Sequence, residues 1–383
     1  MPGDKGVPGT NDHHPSFRIC LIPSQVRLPT YARSQRGVST GLVERTMLMR
    51  TQEPSGNSSS SSVVHRLKEA KPIVIDNQHF IFSLAFLVDA KHVVSSGEEG
   101  KIRRWRTEDG KEVGVEMDAG NFVFSVAVSR DGRWIVSGTV DGVVTVWSAK
   151  SHSKVTEFRA HGEDVGAVDV SPDATKIATG SNDCTVCVWS LSTGERLLGP
   201  LQHNYWVVAA KFSPDGRLIA TATYKWCDSV RVYDSQDGSL LVDFPVRVHS
   251  WLNYTLAWAN DSTQLFALSH DGCILRLDVS AKTTLSKWHI HTSNDPNLND
   301  NHPMCIALAS NGTFIAASAG SSVSFWNTTS QKQIGTVINY THHVASMAMS
   351  TNCDLVTNGG KQITLRTLIG TLPSPYVDNV SNW

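Results

Sequence analysis

The sequence predicts an all-β fold of seven four-stranded antiparallel units that follows a disordered N-terminal tail. Three observations support this prediction. Short runs of alternating apolar and polar residues are bounded by turn residues, a large third-strand residue recurs every 40 to 49 positions, and the composition changes near residue 67. No stretch shows a convincing helical period, so we expect strands throughout residues 67–370.

Composition excludes several classes of protein. The chain has 383 residues, is 40% hydrophobic and carries a formal net charge of -1. This balance argues against an overall nucleic-acid or anionic-membrane surface, which normally needs a basic excess. Apolar runs such as residues 81–88 are far shorter than the roughly 20 residues of a membrane-spanning helix. Seven cysteines without a paired framework favour a reducing compartment, the cytoplasm or nucleus.

Residues 1–66 form the predicted tail. This region is rich in Pro, Gly, Ser and Arg, and residues 57–62 read NSSSSS. Such a composition cannot bury a core, so we expect disorder. A mitochondrial presequence is the alternative, but Asp4 and Asp12 argue against it, since these leaders are poor in acidic residues. Residues 371–383 are expected to be a C-terminal extension.

The repeat defines the units. Each contributes one large residue to its third strand, and these residues are Trp105, Trp147, Trp189, Tyr233, Leu277, Trp326 and Arg366. One unit contains the strand VGAVDV, the turn SPDAT, the strand KIAT, the turn GSND, the strand TVCVWS and the strand ERLLGP. Pro172 pre-sets the backbone of the first turn and Asp173 bonds to it. Because a four-stranded sheet cannot bury both faces alone, the seven units should stack and close into a ring.

The run from His161 to Ser190 resembles a WD40 repeat, and residues 71–370 are similar to a seven-bladed WD40 β-propeller. The resemblance implies a hydrogen-bonded tetrad in each complete blade. In the third repeat its members are His161, Thr179, Asp183 and Trp189. A second set is His203, Thr221 and Asp228 with Tyr233 in place of the tryptophan. The second repeat keeps Ser137, Asp141 and Trp147 but has Ala119 at the histidine position, and repeats 6 and 7 have Gly320 and Gly360 at the Asp position.

Ring closure is predicted at residues 71–76. This run aligns with the fourth strands of other repeats, yet it precedes the first repeat. We therefore expect it to pair with residues 363–368 as the outer strand of the last blade, so that the two ends of the propeller hold each other.

Candidate metal and catalytic groups have simpler explanations. Cys184 and Cys187 form a CxxC without a second pair, and the predicted role is packing. His289, His291 and His302 make a three-histidine metal site conceivable, although solvated histidines are the favoured interpretation. No phosphate-binding loop, nucleophile elbow or carboxylate pair is recognisable. We therefore expect no cofactor, no bound metal and no catalytic residues, with a propeller hydrolase as the alternative.

The candidate partner-binding residues lie on the face that bears the loops before the first strands, where WD40 propellers commonly bind peptides or protein segments. The expected contact residues are Phe80, Phe82, Phe122, Phe124, Trp206, Trp226, Leu252 and Tyr254. We expect Phe82, Phe124, Trp206 and Tyr254 at the mouth of the central channel, and the other four further out. Asp164, in the third repeat, gives this face an acidic side.

The predicted function is that of a non-catalytic protein-interaction scaffold whose partner is a protein or peptide, not nucleic acid or membrane. A substrate-receptor or regulatory subunit of a ubiquitin-ligase or chromatin complex is an alternative that differs only in the partner. The sequence leaves the oligomeric state open.

Overall fold

The computed structural model describes residues 71–224, 230–248, 255–290 and 303–377, and the predicted tail lies outside these ranges. The described residues form the following strands and one short helix: β1 Ile73–Asp76, β2 Ile81–Phe86, β3 His92–Gly97, β4 Lys101–Arg106, β5 Met117–Asp118, β6 Val123–Val128, β7 Trp134–Thr139, β8 Val143–Ser148, β9 Lys154–Arg159, β10 Val165–Val170, β11 Lys176–Ser181, β12 Thr185–Ser190, β13 Arg196–Gln202, β14 Val207–Phe212, β15 Leu218–Thr223, β16 Val230–Asp234, β17 Leu240–Phe244, β18 Leu256–Trp258, β19 Gln264–Leu268, β20 Cys273–Asp278, β21 Thr283–His289, β22 Ile306–Leu308, β23 Phe314–Ala319, β24 Ser322–Asn327, β25 Gln333–Asn339, β26 Ser346–Met349, β27 Asp354–Gly359, β28 Gln362–Thr367 and α1 Ser374–Val377.

These strands form seven antiparallel sheets of four strands each, which confirms the predicted fold class for the described part of the chain. Blades 1 to 6 take their strands consecutively, from β2–β5 for blade 1 to β22–β25 for blade 6. Blade 7 has the order β26-β27-β28-β1. The sheets are arranged as a propeller ring.

The turn between the first two strands of blade 3 follows from its Ser-Pro-Asp sequence. The hydroxyl of Ser171 donates to Oδ1 of Asp173 at 2.6 Å. Ala174 completes the turn with a φ of 55°, in the left-handed region. Blades 2 and 4 place Gly132 and Gly216 at this point, with φ values of 70° and 76°. Glycine adopts this conformation without the steric cost that a Cβ brings.

Neighbouring blades pack face to face, which buries their second and third strands on both sides. Val136 of blade 2 belongs to the same buried cluster as Val165 and Trp189 of blade 3. Gly180 lets the next blade approach closely, since a Cβ at this position would lie 2.6 Å from Cγ1 of Val207. The hydrophobic core is therefore distributed between the blades.

Ring closure follows the predicted scheme. Strand β1 pairs antiparallel with β28, and Ile73 and Ile75 lie opposite Leu365 and Ile363. The side-chain amide of Asn358 adds a hydrogen bond of 2.6 Å to the carbonyl of Ile81 in blade 1. The prediction that residues 71–76 supply the outer strand of the last blade is confirmed.

The segment after β28 packs onto the last two blades. The ring of Tyr376 in α1 meets Phe314 of blade 6 edge to face, with ring centroids 6.1 Å apart. The Tyr376 hydroxyl accepts a hydrogen bond of 3.1 Å from Nδ2 of Asn327, and Leu372 and Val377 are buried in the same cluster. Residues 371–377 of the expected extension therefore cover the core between blades 6 and 7.

Candidate functional site

A chain of hydrogen bonds connects four side chains of blade 3. Nε1 of Trp189 donates to Oγ1 of Thr179 at 2.8 Å, and Nε2 of His161 lies 2.7 Å from the same oxygen. Nδ1 of His161 lies 2.9 Å from Oδ2 of Asp183. Trp189, Thr179 and His161 are buried, whereas Asp183 is half-buried. This series of hydrogen bonds gives the polar atoms of the buried side chains partners within the blade.

The carboxylate of Asp183 is held by neutral donors and by His161. Burial alone would raise the pKa of Asp183, but hydrogen bonds from His161 and Thr185 outweigh this effect and lower the pKa to about 2. Thr185 Oγ1 donates to Oδ1 at 2.6 Å, and the amide of Gly162 donates to Oδ2 at 3.2 Å. Because both carboxylate oxygens are bonded within the blade, Asp183 is tied to local structure.

The third-strand tryptophans of blades 1, 2 and 6 also donate to hydroxyl groups. The bonds run from Nε1 of Trp105 to Ser95 at 2.8 Å, from Trp147 to Ser137 at 2.9 Å and from Trp326 to Ser324 at 2.8 Å. In blades 1 and 2 the acceptor lies on the second strand, as in blade 3. In blade 6 it lies two residues away on the same strand, so this indole is satisfied by a different local arrangement.

His203 occupies the histidine position of blade 4. Its Nε2 lies 3.4 Å from the hydroxyl of Tyr233, and the two rings meet edge to face with centroids 5.7 Å apart. Burial, with a smaller contribution from the charge of Arg231, lowers the pKa of His203 to about 3. His203 is therefore neutral near physiological pH. Asp228, the expected acidic member of this set, lies outside the described residues.

Blade 7 has a different polar set in place of the tetrad. Strand pairing and backbone bonds place three residues at the positions of His161, Thr179 and Trp189, and they are Tyr340, Thr357 and Arg366. Burial raises the pKa of Tyr340, and the nearby Thr357 hydroxyl and the charge of Arg366 oppose that change. Sequence reasoning recorded only that the tetrad is missing here. A usable signal was the spacing, since Tyr340 precedes Thr357 by 17 residues and His161 precedes Thr179 by 18.

We call the top face the end of the ring that bears the residues before each first strand and the turns between second and third strands. One backbone position on the top face is equivalent in blades 1 to 4. In each of these blades, its carbonyl accepts a hydrogen bond from the amide of the residue that follows the second strand. The occupants are Phe80, Phe122, Asp164 and Trp206. Phe80 and Phe122 are 38% and 44% exposed. Trp206 and Asp164 are half-buried.

Phe82 and Phe124 lie two residues further along the chain, at irregularities in the first strands. Both are half-buried, and their ring centroids are 5.1 Å apart. The expectation that Trp206 joins them at the channel mouth is wrong, because strand pairing puts Trp206 in the outer position and buried Val208 in the inner one. Counting residues along the sequence gave the wrong position for Trp206 because the turn after the second strand of blade 4 is lengthened. Trp226, Leu252 and Tyr254 lie outside the described residues.

Three rings cluster at the top of blade 4. Trp206 and Tyr224 are nearly parallel, with an interplanar angle of 8° and centroids 6.0 Å apart. The ring centroid of Tyr205 lies 5.4 Å from that of Trp206 and 6.4 Å from that of Tyr224. All three rings are half-buried. Sequence reasoning missed both tyrosines, although Tyr224 directly follows β15 and so stands at the position of Asn182 in blade 3.

The first strands of all seven blades line a central cavity of about 370 Å³. Strand pairing identifies one equivalent lining residue in each blade, in the order Ala85, Ala127, Asp169, Lys211, Ala257, Ala307 and Ala348. Asp169 and Lys211 lie 3.5 Å apart as an ion pair, and the carboxylate also accepts the amide of Phe212 at 2.9 Å. Five of these seven equivalent residues are therefore alanines, and the charges of the other two offset each other.

Four of the five described cysteines are held as thiols by burial. Burial raises the pKa of Cys187, Cys273 and Cys353 to about 11 and that of Cys305 to about 12. Cys184 is half-buried and points its Sγ at the carbonyl of Asn182, 3.7 Å away. Because the thiolate is the reactive form of cysteine, thiols with a raised pKa are poor nucleophiles.

The histidines of the conceived metal site are only partly described. Nδ1 of His289 lies 3.1 Å from Sγ of Cys273, while His291 and His302 lie outside the described residues. Within the ranges given above, no group of three His, Cys, Asp or Glu side chains is placed to hold a metal ion.

The fold and the tryptophan-centred hydrogen bonds define a repeat-built β-propeller. Residues 115–148, 152–190 and 196–234 match the family model described as WD domain, G-beta repeat. Each match ends at a third strand, as expected for a ring whose first strand closes the last blade. These WD40 repeats, together with the seven-bladed ring, support a WD40-repeat β-propeller. Such propellers are typically protein-interaction scaffolds and are generally non-catalytic.

A search of curated proteins returned no match. Among the described residues there is also no helix of the length and apolar character that crossing a membrane requires.

Proposed function

We propose that the protein is a non-catalytic scaffold, located in the cytosol or nucleus, that binds a peptide or protein segment on its top face. The observation that carries this proposal is the exposure of two large aromatic side chains, Phe80 and Phe122, at one equivalent position in neighbouring blades. Packing between blades is provided by other, buried residues. Exposed aromatic side chains at matched positions are typical of interface anchors.

The surroundings of these two rings suit a peptide. Phe82 and Phe124 continue the apolar surface inward as a contacting pair. On the side of blade 7, Nζ of Lys361 lies 5.4 Å from the ring centroid of Phe80 and donates to the carbonyl of Gln78 at 2.6 Å. The surface therefore combines apolar anchors with a cation at one edge, as peptide-binding surfaces do.

The exposed area of the Phe80 and Phe122 rings determines how much binding free energy they can contribute. A phenylalanine side chain has about 200 Å² of surface, so covering both exposed parts removes about 160 Å² from water. At about 25 cal/mol per Å² this is worth about 4 kcal/mol before the costs of association. We therefore expect truncation of both rings to weaken binding by at least about tenfold.

The test is affinity capture with the full chain. The variant Phe80→Ser with Phe122→Ser should lose its specific protein partner while its melting temperature stays near that of the wild type. The matched control is Val155→Ser with Leu197→Ser, because these side chains are 49% and 52% exposed but lie on the outer strands β9 and β13. The control should keep the partner. Equal retention of the partner by both variants contradicts the proposal.

A further inference from the structure

Resting on the proposed top-face function, we propose that the junction of blades 3 and 4 binds one arginine side chain of the partner. The guanidinium would pair with the carboxylate of Asp164 and stack on the rings of Trp206 and Tyr224. The inference names a partner chemistry and a place on the top face, which the proposed function leaves open.

Asp164 and Trp206 hold the same position in adjacent blades. The carbonyl of Asp164 accepts the amide of Asn182, and the carbonyl of Trp206 accepts that of Tyr224. Two matched pairs therefore stand at the top of neighbouring blades, one polar and one aromatic. Both pairs lie at the same end of the propeller because these backbone bonds give them equivalent positions.

Gly166 lies at this junction and carries no side chain. A Cβ at Gly166 would lie 3.4 Å from the carbonyl oxygen of Val207 and 3.9 Å from Oδ1 of Asn182. Blade 3 and the chain directly after Trp206 thus approach each other closely at this glycine. Phe82 and Phe124 occupy the corresponding position in blades 1 and 2, so blade 3 lacks the ring that those two blades carry here.

Among the described residues, the acidic side chains before the first strand of blade 3 have no Lys or Arg partner. Asp164 accepts a hydrogen bond of 3.0 Å from Nδ2 of Asn182, and within the described ranges neither Asp164 nor Glu163 has a Lys or Arg nitrogen within 4.0 Å. Burial and the charge of Glu163 raise the pKa of Asp164. A cation placed beside Asp164 would relieve this repulsion, which favours a basic ligand.

In blade 1, by contrast, acidic side chains are paired with basic ones. There Arg103 lies 2.5 Å from Glu99 and 2.8 Å from Glu112, and Lys101 pairs with Glu116. Charges of both signs are present and paired within the blade. Within the described part of the chain, the top of blade 3 therefore differs from blade 1 in offering a partner's positive charge an acidic group that no Lys or Arg pairs with.

The ring geometry favours arginine over lysine. Trp206 and Tyr224 present nearly parallel planes, and a planar guanidinium stacks on such faces while keeping its N–H groups free at its edge. Those edge groups can donate to a carboxylate in pairs, which a lysine ammonium does not reproduce. Asn182 bonds Oδ2 of Asp164, so Oδ1 remains the natural acceptor for the ligand.

The experiment uses ¹⁹F NMR of the full chain labelled with 5-fluorotryptophan, with the Trp206 resonance assigned through Trp206→Phe. The probes are acetyl-Gly-Arg-Gly-amide and its lysine and citrulline counterparts. The arginine peptide should shift the Trp206 resonance saturably, and the neutral citrulline peptide should bind at least about tenfold more weakly. Asp164→Asn, which is isosteric, should weaken arginine binding by a similar factor, whereas Glu112→Gln in blade 1 should leave it unchanged.

Three results would overturn the arginine site: no saturable shift of Trp206, equal binding of arginine and citrulline peptides, or equal affinity in Asp164→Asn and the wild type. The citrulline comparison uses the wild-type protein, so it holds even if a variant folds poorly. Capture that still depends on Phe80 and Phe122 in any of these cases would leave the proposed function standing. Capture that ignores both rings would instead contradict the proposed function itself.

Discussion

Acid should destabilise this propeller through His203. The imidazole is 6% exposed, and its pKa falls from an ordinary 6.5 to about 3, chiefly because burial disfavours the charged form. Below pH 6.5 the unfolded chain binds a proton that the folded chain does not take up. The free energy of unfolding therefore decreases as the pH falls from 6.5 towards 3, and His203 has no such effect above this window.

The size of the effect follows from the shift. Each pH unit inside the window changes the free energy of unfolding by about 1.4 kcal/mol per group. Because titration begins gradually around 6.5, the loss between about pH 7.5 and about pH 5 comes to about 2 kcal/mol. A change of this size is a large fraction of the stability of an ordinary domain.

The assay is urea unfolding at these two pH values for the wild type and His203→Gln. Glutamine does not titrate, so the stability difference between wild type and variant should move by about 2 kcal/mol in the variant's favour on acidification. His270→Gln, in an exposed turn of blade 5, is the matched substitution against which the change for His203→Gln is compared. A constant difference for His203→Gln would refute the reasoning, since it would mean that folding leaves the pKa of His203 unchanged.

Three further changes test the architecture. Asp183→Ala should lower the free energy of unfolding by about 1 to 3 kcal/mol, because buried His161 loses its charged partner, and an unchanged urea midpoint would contradict this role. Deleting residues 1–66 should barely change the melting temperature, whereas deleting residues 1–78 removes β1, exposes β28 as an edge and should promote aggregation; equal melting temperatures would show that the ring closes without β1. Tyr376→Ala should lower the melting temperature measured by calorimetry, while Tyr376→Phe keeps the contact with Phe314 and should recover most of the loss.

The fold was readable from the sequence because one structural unit is repeated. A regular interval between third-strand residues fixes the length of each blade, and turn residues such as Asp173 mark the hairpins between the intervals. Even the closing strand could be placed, since residues 71–76 resemble fourth strands and have no blade before them. The spacing of the repeats could not show which residues bond between blades, such as Asn358 and Ile81.

The candidate site was harder to predict from the sequence because the positions of its residues depend on the pairing register of the strands. Trp206 was assigned to the inner position by counting through a lengthened turn, whereas the backbone bond to Tyr224 puts it outside. In blade 7, the residues Tyr340 and Arg366 replace the tetrad with unlike side chains, so a search for the usual residue types passes over them. Equivalence of position appears only when the strand partners are known.

The most direct test of the proposed scaffold is site-specific photocrosslinking in cells. A benzoylphenylalanine is placed at Phe122 on the top face or, as the matched position, at Leu197 on the outer strand β13. The two residues are similarly exposed, at 44% and 52%. We expect a discrete crosslinked protein from the probe at Phe122 and none from the probe at Leu197. Crosslinks only from Leu197 would contradict binding on the top face.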